Sequence, residues 1–271
     1  MSPVKLEELL LRHPHLEELA RLHECLEEAL AEAGPPAGRG GSQLPLLRHQ
    51  GLDTALLIQA GEVLRQVLEA LPVALLPTPF LDQCGQLRER LRQSPGEAAL
   101  AIETVLTECR GGSRTAPAVV QESSLLTFFI WKILTKLLAP WREDLEQRLP
   151  ELAWDKPLCP FCGNGPAMAM LKGTRSGRKR LLVCGCCGMR WPWLRLGCAF
   201  CGNEEHSQLS MLELEDEVFR LDLCHQCQGF LKTCLRADAD ELVLADWTSL
   251  HLDALALAQG WQRRAASLYA L

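Results

Sequence analysis

A chain of 271 residues with 48% apolar and 23% charged residues has the composition of a soluble globular protein, long enough for one large or two modest domains with a buried core. Its net charge of −6 argues against a general nucleic-acid binder. No basic stretch followed by an apolar run opens the sequence, and the most apolar segment, Leu125 to Leu138, is interrupted by Lys132 and Lys136 and too short to span a bilayer, so a cytosolic protein is expected.

Residues 1–152 read as an all-helical domain. Leu6, Leu9 and Leu10, then Leu16, Leu19, Leu22, Leu26 and Leu30, recur at three- and four-residue spacing between Glu and Arg, with Pro14 dividing a short helix from a long one. Ala33 to Ser42 reads as a flexible connector. Helices are expected from about Asp53 to Leu71, Pro79 to Gln93 and Gly96 to Cys109, followed by a loop at Gly111 to Ala116. The next helix, about Pro117 to Leu138, is apolar nearly all round, with Phe128, Phe129, Ile130 and Trp131, and is expected at the centre of this domain. Pro140 ends it, and a charged helix runs from Trp141 to about Leu152. Nothing here resembles a phosphate-binding glycine loop, a nucleophile with its base or a paired-carboxylate site. The domain reads as a scaffold or docking surface, and no enzymatic activity is expected.

The stretch from Cys159 to Cys227 carries four Cys-x-x-Cys knuckles: Cys159/Cys162, Cys184/Cys187, Cys198/Cys201 and Cys224/Cys227. It is an internal repeat, because Cys159-Pro-Phe-Cys-Gly-Asn is echoed by Cys198-Ala-Phe-Cys-Gly-Asn, and the gaps to the second knuckle are 21 and 22 residues. Two thiolates in one tight turn grip a metal ion, and a second turn brought alongside by a β-hairpin completes a tetrahedral four-sulfur site. Gly163, Gly188 and Gly202 follow three of the knuckles, where the chain takes a positive φ and aims an amide at sulfur. A redox dithiol would open a helix in a βαβ unit, and no such pattern surrounds these knuckles. A disulfide framework would leave one of thirteen cysteines over, in a chain without a visible export signal. Each four-thiolate site holding a divalent ion would add a charge of about −2.

Strands are expected at Ala167 to Lys172 and Lys179 to Val183, with a tip at Gly173 to Gly177, in a first ribbon spanning 153–195. A second ribbon, 196–237, pairs Leu209 to Leu214 with Val218 to Leu223 around an acidic turn at Glu215 to Glu217, with Phe230 to Leu235 as a further strand. Such small modules lack the apolar area to fold alone, and the metal supplies the missing stabilisation. In the last segment, 238–271, acidic residues at Asp238 to Glu241 precede a helix from about Asp246 to Leu268, with Leu250, Ala254, Leu257 and Trp261 on one face.

Several residues admit two readings. Lys172, Arg175, Arg178, Lys179 and Arg180 form a basic tip that suits phosphate, although a solvated turn is the plainer reading. Trp191 and Trp193 could stack on bases, but aromatics beside a knuckle more often shield it from water. His206 and His225 are spare, because four cysteines already complete the second site. Cys186 makes a third thiol for two positions. Symmetry with Cys224/Cys227 selects Cys184 and Cys187 and leaves Cys186 as an alternate ligand or reactive thiol. Cys25, Cys84, Cys109 and Cys234 lie in apolar contexts, as small core residues do.

The whole pattern resembles the formate dehydrogenase accessory protein family, FdhE. The resemblance rests on the four knuckles in this order, on Arg195-x-x-Cys198-x-x-Cys201, on Cys224-x-x-Cys227-x-Gly229-x-Leu231-Lys232, and on the Ala-Asp-Trp-Thr-Ser-Leu-x-Leu-Asp-Ala run from Ala245 to Ala254, ending Gly260-Trp261. It covers residues 157 to 265 well and the Phe129-Ile130-Trp131 helix more loosely. The resemblance implies a cytosolic, non-enzymatic maturation factor that contacts the formate dehydrogenase catalytic subunit. It also implies iron at rubredoxin-like knuckles, with Cys159, Cys162, Cys184 and Cys187 at one site and Cys198, Cys201, Cys224 and Cys227 at the other. Four thiolates suit iron and zinc alike. The expected architecture is thus a helical domain, two tandem rubredoxin-like or zinc-ribbon modules and a C-terminal helix. A zinc-ribbon nucleic-acid-binding protein and a rubredoxin-like electron carrier are the alternative functions.

Overall fold

The computed structural model of the chain describes residues 7, 10–11, 13–31, 33–36, 43–71, 78–94, 96–110, 124–173, 177–213, 218–235, 246–265 and 267–269. They form two compact units, helical up to Glu143 and sheet-containing over Asp144–Leu271. The fold is therefore the expected one, a helical N-terminal part followed by a sheet region that carries the cysteine clusters. Among the described residues no helix is long and apolar enough to cross a membrane. The loop at Gly111 to Ala116, the acidic turn at Glu215 to Glu217, the acidic segment at Asp238 to Glu241 and Arg175 of the basic tip lie outside the described residues.

In the helical unit a 3₁₀ turn at Pro14–Leu16 leads into α1 (Glu17–Leu30), whose buried Ala20, His23, Leu26 and Leu30 follow the helical spacing. A short α2 (Leu46–Gln50), not expected from the sequence, precedes α3 (Thr54–Ala70). Asp53 caps α3, its carboxylate accepting from Leu56 N at 2.8 Å and satisfying one of the free amides of the first turn. Then come α4 (Thr78–Gln93), α5 (Gly96–Arg110), α6 (Ser124–Leu137) and α7 (Ala139–Arg148). Helix α3 touches α1, α4, α5 and α6. Helix α6 buries Phe129, Ile130, Trp131, Ile133 and Leu134 almost completely, each such side chain contributing about 1.5–3 kcal/mol. Its apolar circumference in the sequence reflects a central position. The division between the units falls within α7.

The second unit is built on one sheet. Its strands are β1 (Pro166–Lys172), β2 (Lys179–Cys184), β3 (Arg190–Trp193), β4 (Leu209–Glu213), β5 (Phe219–Cys224), β6 (Gly229–Cys234) and β7 (Gln262–Arg263). The order is β3-β2-β1-β6-β5-β4, with β7 added beside β6. The first ribbon is an antiparallel β1-β2-β3 meander and the second β4-β5-β6. The two join through a parallel pairing of β1 with β6, Met168 opposite Lys232 and Met170 opposite Cys234. Every residue of β6 is buried, as suits an interior strand covered on both faces. Trp191-Pro-Trp193, expected as a lead into Cys198, is instead the edge strand β3.

The C-terminal helix is shorter than expected. After a short helical stretch at Asp246–Thr248 and a break at Ser249, α8 spans Leu250–Ala258. It stops because Gly260 takes φ +87° and turns the chain back into β7. Its buried face is Leu252, Asp253 and Ala256 rather than Leu250, Ala254 and Leu257, and Leu257 is exposed. Leu252 and Ala256 pack on Leu221, Leu223 and Phe230 of the second ribbon, with Trp261 at the edge of that cluster. The inward charge of Asp253 is explained by Lys232 of β6, itself wholly buried, whose Nζ lies 2.7 Å from Asp253 Oδ2 and 2.8 Å from Asp246 Oδ1. Arg263 of β7 meets the other oxygen of Asp253 at 2.6 Å, and Ser267 donates to Asp246 at 2.6 Å. A buried ammonium so enclosed has its charge and its protons satisfied, and the tail is fastened to the sheet.

Candidate metal centres

Each knuckle is a closed turn whose geometry follows from its own residues. In the first, Cys159 N donates to Asn164 O at 2.8 Å and Gly163 N to Cys159 O at 2.8 Å. The echo repeats it, Cys198 N to Asn203 O at 2.8 Å and Gly202 N to Cys198 O at 3.1 Å. The Cys184 turn closes in the same manner with Met189 and Gly188. Gly163, Gly188 and Gly202 take φ of +83°, +71° and +73°, and in the fourth knuckle Gln228 occupies the same region at +56°. A residue with a Cβ accepts this backbone at a cost of about 1–2 kcal/mol, so the turn geometry is strongly imposed there.

The four turns meet in pairs. The sulfurs of Cys159, Cys162, Cys184 and Cys187 all lie within 4.8 Å of one another, as do those of Cys198, Cys201, Cys224 and Cys227. Cys162 Sγ is 3.4 Å from Cys184 Sγ and Cys159 Sγ 3.6 Å from Cys187 Sγ; in the second cluster Cys198 and Cys227 are 3.6 Å apart and Cys201 and Cys224 3.7 Å. These are not bonded sulfurs, which stand about 2.05 Å apart. They are close to the edge of about 3.8 Å that a tetrahedron of sulfurs has around a metal at about 2.3 Å. Amides point at the sulfurs: Cys162 N at Cys159 Sγ (3.5 Å), Cys186 N at Cys184 Sγ (3.4 Å) and Phe200 N at Cys198 Sγ (3.4 Å). Such donors stabilise thiolate, not thiol.

The electrostatics also call for a cation. Burial pushes the thiols of Cys159 and Cys162 well above the ordinary range. Burial works against Cys184 too, but hydrogen bonds from Cys159, Cys162, Cys186 and Cys187 together outweigh it and hold its pKa well below the usual value. In the second cluster burial raises Cys198 and Cys227, while for Cys224 burial is outweighed by the amides of Cys227 and Gln226 and by neighbouring thiols. Four thiolates buried together, as the first cluster would place them, need a cation among them. The donor set fits a tetrahedral ion such as zinc or iron, with all four positions filled by protein and none open for substrate.

The clusters differ in access. All four cysteines of the first are buried, whereas Cys201 and Cys227 of the second are partly exposed. Gly229 explains how the second turn fits: a Cβ there would stand 2.8 Å from Arg264 Cγ, and 3.1 Å from both Cys227 Sγ and Phe200 Cδ2. Cys186 is buried beside the first cluster without joining its four sulfurs. His225 is exposed, 3.0 Å from Ser210 Oγ and edge-on to Trp261, and His206 is exposed as well; neither belongs to a cluster. Cys84 and Cys234 are buried and Cys25 is partly exposed, while the side chain of Cys109 lies outside the described residues.

The basic run does not form a single exposed tip. Lys172 and Lys179 are exposed, but Arg180 is 4% exposed and is no part of a solvated or phosphate-gripping turn. It reaches from β2 across to the second ribbon, donating to Asp222 Oδ2 at 2.8 Å and to the carbonyl of Gly197, next to Cys198, at 2.8 Å. Trp191 is fully buried and unavailable for stacking on a base. Sequence reasoning also missed Asn164 and Asn203. Their side chains point at Cys162 Sγ (3.5 Å) and Cys224 Sγ (3.9 Å), and the repeated Cys-Gly-Asn was the signal that could have found them.

No family model matches the chain. It is similar to the protein FdhE homolog of Pseudomonas aeruginosa, at 31% identity over 194 residues, 65% of this chain and 62% of that protein. It is also similar to the protein FdhE homolog of Stutzerimonas stutzeri, at 33% identity over 119 residues, 42% of this chain and 38% of that protein. The matches therefore span less than two thirds of these relatives' own length. Among solved structures, the crystal structure of the FdhE protein from Pseudomonas aeruginosa superposes with a TM-score of 0.59 at 26% identity, covering 94% of this chain and 88% of that one.

Proposed function

We propose that this chain, which belongs to the FdhE family, is a cytosolic accessory factor for formate dehydrogenase that binds the catalytic subunit during its maturation and is itself no enzyme. The observation that carries the reading is the likeness to an FdhE protein over 94% of the chain. The eight clustered cysteines support its metal-dependent part: they are proposed to hold two ions, iron favoured by the family resemblance and zinc equally suited by chemistry. A coordinatively closed ion supplies charge neutralisation and cross-linking of four knuckles. The chain's own residues do the rest. The turn amides hold the sulfurs as thiolates, and the shared sheet keeps the two ribbons at a fixed spacing for a partner.

The reading is tested by an anaerobic pull-down of the tagged full-length protein from its native cytosol, with retained partners identified by mass spectrometry and a Cys198→Ser/Cys201→Ser variant alongside. The expected result is recovery of a formate dehydrogenase catalytic subunit by the intact protein and its loss with the variant. Recovery of ribosomal proteins and RNA alone would replace the reading with nucleic-acid binding.

A further inference from the structure

The two clusters are closed by different backbones. All four cysteines of the first are buried and its knuckles turn on Gly163 and Gly188, whereas Cys201 and Cys227 of the second are partly exposed and the fourth knuckle turns on Gln228, at φ +56°. Left-handed backbone is unfavourable for a residue with a Cβ, so this knuckle relaxes by opening unless a neighbour holds it shut. Cys227 is next to the strained residue, and opening would carry its sulfur away from that of Cys198, 3.6 Å off in the closed turn.

The segment Trp261–Ala265 lies across this knuckle. Gln262 N donates to Gln228 O at 2.8 Å, and the Arg264 guanidinium donates to Cys227 O. The carbonyls on both sides of the strained position are thus engaged. Trp261 stands edge-on to His225 of the same knuckle, ring centroids 5.0 Å apart. Strand β7 pairs with β6 from Gly229 onward, where a Cβ would stand 2.8 Å from Arg264 Cγ. The segment has anchors of its own: Arg263 meets Asp253 of α8 at 2.6 Å, and Ala265 sits on Gly165 of the first ribbon, where a Cβ would stand 3.1 Å from Ala265 Cβ. Gln262 and Arg264 are nevertheless exposed and β7 is two residues long, the marks of an element that opens locally.

We propose that Trp261–Ala265 is a strap that gates metal exchange at the second cluster, on the reading that both clusters hold ions. Closed, it pins the fourth knuckle. Lifted, it frees Gln228 to leave the left-handed region and Cys227 to swing to solvent, where a competing chelator or thiol takes the ion. The first cluster, buried and turning on glycines, keeps its ion.

In the test, zinc-loaded full-length protein of measured metal content is mixed with excess pyridylazoresorcinol under reducing conditions, and release is followed by absorbance. Cys198→Ser/Cys227→Ser, which retains only the first cluster, identifies that cluster's phase. The expected result is two phases of one ion each, the faster from the second cluster. Arg264→Ala and Gly165→Val, at opposite ends of the strap contacts, should each speed the fast phase about tenfold and leave the slow phase at the parental rate. Gly165→Val is the more discriminating, because it stands beside the first cluster and should act on the second. Gln228→Gly, whose backbone needs no holding, should slow the fast phase. A parent that binds fewer than two ions refutes the metal reading and the strap with it. With two ions bound, the strap is overturned by release in a single phase, by parental rates in Arg264→Ala or Gln228→Gly, or by a Gly165→Val variant that speeds the first cluster's phase as much as the second's.

Discussion

His23 sits in the helical unit 5% exposed, edge-on to Phe128, and burial, with Lys132 adding to it, holds its pKa well below the usual imidazole value. It is neutral when folded and accepts a proton when unfolded. Stability is then unaffected above about pH 7 and falls as the pH drops below the unfolded value of about 6.5, by at most about 1.4 kcal/mol per pH unit. The difference between the urea-unfolding profiles of the parent and His23→Leu from pH 7.5 to 5 should carry this slope; parallel profiles would refute a buried neutral histidine. Gly229 gives a second prediction at this scale. Gly229→Ala sets a methyl 2.8 Å from Arg264 Cγ and 3.1 Å from Cys227 Sγ, and competition with a chelator should show about tenfold weaker metal retention, about 1.4 kcal/mol, at the second cluster but not at the first. The knuckle glycines were legible in the sequence, because a positive φ is a local demand of a four-residue turn. Gln228 was not: at φ +56° it meets the same demand without the residue type that signals it.

Arg180 shows what local reading cannot reach. Within its own stretch it continues a basic run, yet it lies in β2 and ends beside Asp222 of β5, 42 residues away in sequence. That placement exists because β1 pairs in parallel with β6, a contact between strands whose hydrophobic patterns specify hairpins but not which hairpin lies beside which. Lys232 and Asp253 were hidden for the same reason: each reads as a surface charge until the other is opposite it. The end of α8 was misread because an apolar spacing continued past Gly260, where the backbone turns. The arrangement predicts that Arg180→Leu, which removes the brace on Gly197 O next to Cys198, speeds metal release from the second cluster about tenfold or more. Release from the first cluster should stay at the parental rate, and equal acceleration at both would deny the brace its specificity. Lys232→Met leaves Asp253 and Asp246 buried with one cation fewer, and should cost the sheet unit about 3–5 kcal/mol in thermal or denaturant unfolding.

Across the whole chain the two units depend on different forces. The helical unit has an apolar core of its own around α3 and α6. The sheet unit spends eight cysteines on two clusters and should draw much of its stability from ions held there, as small metal-nucleated ribbons do. Removal of metal by a chelator under reducing conditions is expected to abolish protection from hydrogen exchange in β1 to β6 while α3 and α6 stay protected; retained protection in the sheet would mean that the metal is not structural.

The most direct test of two four-thiolate centres in one sheet is metal quantification coupled to X-ray absorption at the metal edge, on the parent and on Cys198→Ser/Cys227→Ser. The account predicts two ions per parental chain, each with four sulfur neighbours at about 2.3 Å, and one ion with an unchanged all-sulfur shell in the variant. A single ion in the parent, or nitrogen and oxygen ligands in the shell, would contradict it.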